Sequence, residues 1–312
     1  MISREGLVVS AQSGFYTVQT DAGEVVCRLP GRLKQGKAEG DIVAVGDRVT
    51  IADMGDGGGT IEEVHERSAV FSRVRTGIKR EFRQIILANP DQLVIVFACA
   101  EPEPHLRMLD RFLVVAEKQT IQAVIVANKL DLVSRAEAEN LFGLYIKLGY
   151  PVIYTSAKTG EGVAELKARL TDKVSALTGP SGVGKSSLLN VIQPDLGLQV
   201  RSVSDATSKG RHTTQVRALF PLEFGGYVAD TPGIRSLALW DIEPEELDAY
   251  FIELRDLVAD CQFSDCTHTH EPGCAVREAL TAGTVSAERY ASYLRMRFGD
   301  DSEQYYQDLL ND

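Results

Sequence analysis

The hydrophobic rhythm of the chain changes twice. Up to residue 67, short runs rich in Val, Ile, Phe and Tyr predict strands over residues 6–9, 15–19, 25–29, 47–51 and 60–64, separated by turn residues such as Asp21-Ala22-Gly23 and the glycine-rich run 55–59. Five short strands at this spacing suit a small β-barrel, with the OB-fold as the commonest match. From residue 68 apolar strand-like runs (92–98, 123–127, 152–155, 174–178 and 227–229) alternate with helical patterns (106–118, 136–148, 163–170 and 185–192). That alternation predicts a mostly parallel sheet with helices on both faces. Beyond residue 241 the pattern is helical over 244–258 and 287–298, with a cysteine cluster between. The organisation expected is a barrel over 1–67, an α/β unit over 68–240 and a small helical unit over 241–312.

Composition adds limits. Of the 312 residues, 44% are hydrophobic and 25% charged, the ordinary balance of a soluble globular chain. No run approaches the length a membrane helix needs, and residues 1–14 hold no signal-peptide core, so a cytoplasmic protein without a membrane partner is expected. The net charge of −11 argues against a protein that coats nucleic acid through bulk charge, although a local basic face is compatible with it. Arg73, Arg75, Lys79, Arg80 and Arg83, and in the barrel Arg28, Arg32, Lys34 and Lys37, are groups that could meet phosphates, or ordinary solvated surface. Cys27 and Cys99 sit in apolar segments and read as core.

The chemistry is carried by short motifs. Gly179-Pro180-Ser181-Gly182-Val183-Gly184-Lys185-Ser186 fits Gly-x4-Gly-Lys-Ser/Thr, with an apolar strand running in and a helical run leaving from Ser187. Backbone N–H groups from Gly179 to Ser187 would surround phosphates, Lys185 would contact the β- and γ-phosphates, and Ser186 would ligate Mg²⁺. Asn128-Lys129-Leu130-Asp131 follows another apolar strand. A carboxylate at Asp131 can accept from N1–H and the exocyclic amine of guanine, a donor pair adenine lacks, while Lys129 can lie against the base and Asn128 can tether loops. Ser156-Ala157-Lys158, after Thr155, ends the next strand as a second base-recognition loop. The expected ligands are therefore GTP and GDP.

Asp230-Thr231-Pro232-Gly233 follows a further strand. Asp230 can hold Mg²⁺ through water, and the Gly233 N–H can sense the γ-phosphate. In Gly210-Arg211-His212-Thr213-Thr214, Thr214 is preferred as the residue that closes on Mg²⁺, with Thr213 as the alternative. Ras-like enzymes carry Gln after the motif glycine to orient the attacking water. Ile234 stands there and cannot do so, which leaves His212 as the best local candidate.

Ordinary GTPases place the phosphate loop first; here the base-reading motifs precede it. That circularly permuted order, with a barrel before it, Val45-Gly46-Asp47-Arg48-Val49 within the barrel and a cysteine cluster after it, resembles the ribosome-associated GTPases of the RsgA (YjeQ) family over nearly the whole chain. The resemblance implies GTP hydrolysis stimulated by the small ribosomal subunit in a late step of its maturation, contact with its rRNA, an apolar residue in place of the usual Gln, and His212 as the catalytic histidine. The cluster Cys261-x4-Cys266-x-His268-x5-Cys274 offers three thiolates and one imidazole, a closed set suited to one structural Zn²⁺. His270 is the rival imidazole, and the resemblance strengthens the zinc reading. A monomer is expected. The rival function is a GTP-regulated RNA- or ribosome-binding module with negligible hydrolysis.

Overall fold

A computed structural model describes residues 2–34, 41–75, 82–197, 217–230 and 242–299. Its first sheet closes on itself. Strands β1 (Ile2–Gln12), β2 (Phe15–Thr20), β3 (Gly23–Arg28), β4 (Arg48–Asp53) and β5 (Gly58–Val64) run in the order β1-β2-β3-β5-β4, and β4 pairs back onto β1. Alternate side chains point inward, so Val8, Val18, Val25, Cys27, Val49, Ile51 and Ile61 fill the barrel. β1 is longer than its apolar run suggested. Arg4 holds the extension by pairing with Asp53 at 2.9 Å and Asp21 at 3.0 Å, a polar cross-strand contact that hydrophobic pattern does not register.

A hairpin of β6 (Val70–Arg75) and β7 (Phe82–Ala88) follows the barrel, where the sequence pattern suggested no strands. Its inner residues Phe71 and Leu87 are fully buried, and the Ala88 N–H donates to the Val45 carbonyl at 2.8 Å. In the motif beginning at Val45, Asp47 accepts from the Arg67 Nε and Nη2 at 2.7 Å each, fixing the path out of the barrel.

The second sheet runs β10 (Val152–Tyr154), β9 (Gln122–Asn128), β8 (Gln92–Ala98), β11 (Val174–Thr178), β14 (Tyr227–Asp230) and β13 (Phe220–Pro221). All neighbours are parallel except β13, which lies antiparallel at one edge. Both faces are covered, so β8 is apolar from Leu93 to Ala98. Leu93, Ile95 and Phe97 face α1 (Leu106–Lys118) and α2 (Arg135–Lys147), and Val94, Val96 and Ala98 face α3 (Val163–Leu170) and α4 (Lys185–Ile192). A two-residue strand, β12 (Arg217–Ala218), pairs with Ser10 and Ala11 of β1 just where β4 no longer covers that edge. One segment thus touches the barrel and, through β13, the parallel sheet.

The C-terminal region adds α5 (Ile252–Arg255), α6 (Ala275–Thr281) and α7 (Ala287–Phe298). The helix expected over 244–258 is broken into a 3₁₀ turn at Pro244–Tyr250, α5 and a second 3₁₀ turn at Val258–Asp260. The break falls at Phe251, whose backbone is extended (φ −94°, ψ 103°) and whose fully buried ring packs edge-on against Tyr293 with centroids 5.7 Å apart. Phe251, Leu254, Tyr290 and Tyr293 belong to the same hydrophobic cluster as Leu109 and Phe112 of α1. Among the described residues no helix is long and apolar enough to cross a membrane.

Candidate nucleotide site and metal centre

The base-reading loops, the phosphate loop and Asp230 leave the second sheet at the carboxyl ends of parallel strands, where open α/β sheets take ligands. The phosphate loop joins β11 to α4. Gly179 has φ +133°, and a Cβ there would lie 2.1 Å from the Val96 carbonyl oxygen; at Gly184, φ +94°, it would lie 2.4 Å from Asn128 Nδ2. Only glycine lets the loop lie this close to its neighbours. Val183 drops its side chain into the core beneath, which anchors the loop from below. Lys185 Nζ donates to the carbonyls of Gly179 at 2.8 Å and Pro180 at 2.7 Å, which holds its charge over the loop. Ser186 and Ser187 are half-buried in the first turn of α4, Ser181 is exposed and Gly182 lies between.

Asn128 joins this loop to the base-reading loops. Its Nδ2 donates to the Val183 carbonyl at 2.8 Å, and its Oδ1 accepts from Thr155 Oγ1 at 3.1 Å and the Ala157 N–H at 3.3 Å. Lys129 is left-handed (φ 62°), and its ammonium donates to the Glu101 carbonyl. Leu130 is buried, and its N–H donates to the Thr155 carbonyl at 3.0 Å. Asp131 Oδ1 accepts from Ser156 Oγ at 2.6 Å, and the exposed Lys158 ammonium stands 3.7 Å from Asp131 Oδ2. Three residues after Asp131, Ser134 and Glu137 form a reciprocal capping box that starts α2.

Asp230 is the last residue of β14, in register with Leu177 one residue before the end of β11. His212, Thr213, Thr214, Gly233 and Ile234 lie outside the described residues. So do Lys37, Lys79 and Arg80, while Arg73, Arg75 and Arg83 fall on β6 and β7. In the barrel Arg32 is exposed, and the Arg28 guanidinium sits 4.9 Å from the centroid of the exposed Phe15 ring.

The cysteine cluster forms a compact centre. The ligand atoms of Cys261, Cys266, His268 and Cys274 all lie within 4.8 Å of one another. His268 Nδ1 is 3.6 Å from Cys261 Sγ and 3.4 Å from Cys274 Sγ, and those two sulfurs are 4.0 Å apart. Tetrahedral zinc, with bonds of about 2.3 Å to sulfur and about 2.0 Å to nitrogen, spaces its ligands by roughly 3.5 to 3.8 Å, so the four residues fit it. The other imidazole nitrogen, Nε2, lies 3.1 Å from Asp248 Oδ2, the carboxylate partner that orients a metal-bound histidine. Exposed His270 turns instead to Thr269 Oγ1 at 2.8 Å, outside the cluster. Burial works against a Cys274 thiolate, yet hydrogen bonds from His268, the Arg277 N–H and Cys266 outweigh it and lower its pKa to about 7. Burial, the largest cause in each case, pushes the Cys27 and Cys99 thiols up to about 11, so both are inert core groups.

Sequence reasoning missed Asp248, Tyr290 and Tyr293. The tyrosine hydroxyls donate to the carbonyls of His268 at 2.5 Å and Thr267 at 3.1 Å, fixing the metal-ligand turn to α7. Their three-residue spacing on a helix was the available signal; Asp248, remote in sequence from its histidine, gave none.

A glycine-rich phosphate loop, tied by one asparagine to a base-reading loop on the same parallel sheet, defines a P-loop GTPase, and the order of its motifs makes it a circularly permuted one. The model of the RsgA GTPase family matches residues 64–240, and that of the RsgA N-terminal domain matches residues 5–61. A Gemmatimonas aurantiaca protein named small ribosomal subunit biogenesis GTPase RsgA is 48% identical over 299 residues, covering 95% of this chain and 97% of its own. The crystal structure of YjeQ from Thermotoga maritima matches with a TM-score of 0.77 at 38% identity, covering 100% of both chains. YloQ, described as a circularly permuted GTPase, matches with a TM-score of 0.72 at 31% identity over 99% of this chain and 96% of its own. The chain belongs to the RsgA family of GTPases.

Proposed function

We propose that this protein hydrolyses GTP to GDP and phosphate in the late maturation of the small ribosomal subunit, with turnover stimulated by that subunit. The observation that carries the nucleotide reading is the Asn128 junction, which fixes the phosphate loop and the guanine-reading loop in one frame. The subunit reading is supported by the names of relatives that align over nearly the whole chain.

In this reading Asp131 accepts from guanine, Lys129 lies along the base, and Leu130, Ser156, Ala157 and Lys158 complete that pocket. The N–H groups from Gly179 to Ser187 and the Lys185 ammonium hold the phosphates, Asp230 would hold Mg²⁺ through water, and the Gly233 N–H would sense the γ-phosphate. Ser186 and Thr214 supply hard oxygen donors suited to Mg²⁺, which when bound neutralises phosphate charge. His212 accepts a hydrogen bond from the attacking water, a task Ile234 cannot perform. Water attacks the γ-phosphorus, the bond to the bridging oxygen of GDP breaks, and phosphate leaves. Cys261, Cys266, His268 and Cys274 hold one structural Zn²⁺ that staples the helical unit of residues 241–312 beside the GTPase unit of 68–240 and the barrel of 1–67. The Arg28–Phe15 pair is the described feature best suited to rRNA, a cation and a ring together on the open barrel face. The working form is a cytoplasmic monomer.

Co-sedimentation with purified subunits tests the partner. The zinc-loaded chain with a non-hydrolysable GTP analogue should pellet with small subunits and not with large ones. Equal recovery with both, or with neither, would reject the proposed partner.

A further inference from the structure

A buried charge cluster lies outside both candidate sites. Arg289, on α7, is 1% exposed. Its Nη1 donates to Asp110 of α1 at 2.7 Å, and its Nε and Nη2 form a two-pronged pair with Glu253 of α5 at 2.6 and 3.0 Å. The guanidinium also lies 4.5 Å from the Phe251 ring centroid. Burial opposes its charge, but Glu253 and Asp110 outweigh burial and raise its pKa. The same Asp110 oxygen accepts from Tyr145 of α2 at 2.8 Å. One side chain thus holds α7 and α5 against both helices on this face of the parallel sheet.

The partners of those helices matter. α2 starts at the Ser134 cap, immediately beyond the Asn128–Asp131 loop, and α1 starts after Glu101, whose carbonyl takes the Lys129 ammonium. At its other end the network runs along α7 to Tyr290 and Tyr293, which hold the carbonyls of the His268 turn. Two further contacts, Lys118–Glu246 at 2.5 Å and Glu117–Arg255 at 3.5 Å, brace α1 against the C-terminal region at the surface, where ion pairs contribute little.

We propose that Arg289 is a positioning residue for guanine recognition, acting through Asp110 and Tyr145, and that it links occupancy of the Cys261–Cys266–His268–Cys274 centre to affinity at the base-reading loop. This rests on the reading of Asp131 as the guanine acceptor. Linkage is reciprocal: a metal that favours one placement of α7 favours nucleotide binding, and nucleotide must retain metal by the same factor. The base end of the nucleotide is the end affected, because the helices that Arg289 holds begin there and not at the phosphate loop.

The test uses the full-length, zinc-loaded chain and two readouts. The first is the affinity ratio of GDP to IDP, which lacks the exocyclic amine that Asp131 reads. The second is the rate of zinc loss to a chelator with and without GDP. Removing Arg289 alone strands two buried carboxylates, so the variant of choice neutralises the cluster together, Arg289→Met with Asp110→Asn and Glu253→Gln. Tyr145→Phe gives a milder second probe that removes one hydroxyl. In the parent, GDP should slow zinc loss about fivefold or more. In the neutralised cluster that protection should vanish and the GDP/IDP ratio should fall, with Tyr145→Phe intermediate. A purely packing role leaves the ratio and the GDP protection at parental values in both variants, and that result overturns the proposal. Asp131→Asn separates the two ideas: if it leaves the GDP/IDP ratio unchanged, the base-reading assignment has failed, whereas a changed ratio there with parental values in the cluster variants rejects Arg289 alone.

Discussion

Asn128 Nδ2 donates to the backbone carbonyl of Val183 at 2.8 Å, so a residue of the base-reading motif holds the phosphate loop by its main chain. The two motifs are far apart in sequence and reversed from the usual order, yet this contact is made because β8 alone separates β9 from β11. The permuted order still brings the base-reading loop and the phosphate loop together.

Asn128→Ala removes that bond and the two acceptor contacts to Thr155 and Ala157. Leaving a buried carbonyl unpaired costs about 1–3 kcal/mol. GTP affinity should therefore fall by about five- to 150-fold, read by equilibrium titration with the fold checked by thermal unfolding. Unchanged affinity would mean that the loops hold their places without the tether.

Asp131→Asn replaces an acceptor by an amide that can donate. Preference should move from guanine toward xanthine nucleotides, whose C2 oxygen accepts. Competition between GDP and XDP for the variant measures it, and retained guanine preference would remove Asp131 from base reading.

Much of this was legible beforehand because the motifs are local. Gly179–Ser186, Asn128–Asp131 and the cysteine spacing each announce chemistry within a few residues. The strands of the parallel sheet were legible because burial on both faces leaves continuous apolar runs such as 93–98. What escaped depends on long-range contact. The β6–β7 hairpin carries charged residues among its apolar ones, β12 is two residues borrowed by the barrel edge, and α6 is too short to show a period. Phe251 breaks a helix that local pattern favours because its ring is needed between Arg289 and Tyr293.

Lys185→Ala removes the cation held over the phosphate loop. Nucleotide binding should be lost while the unfolding transition stays cooperative, as followed by titration and circular dichroism. Retained GTP affinity would show that Lys185 has no phosphate role.

Glu271 fixes the turn that carries His268. Burial disfavours its charge, but hydrogen bonds from Thr267 and from the N–H groups around it win, and its pKa falls from 4.5 to about 2. A depressed carboxyl pKa contributes stability that is fully present above pH 4.5 and is lost as pH falls toward 2. Glu271→Gln should lower the thermal midpoint at neutral pH, and the gap to the parent should close across that acid window. A gap that is constant with pH would assign the effect to shape, not charge.

The most direct test of the account is GTP turnover by the purified chain alone, with small subunits and with large subunits, compared side by side for the parent and for His212→Ala. The account predicts slow turnover alone, strong stimulation by small subunits only, and loss of that stimulation in His212→Ala with GTP binding retained. Equal rates in all three conditions for the parent, or tight small-subunit binding without stimulated turnover, would contradict it.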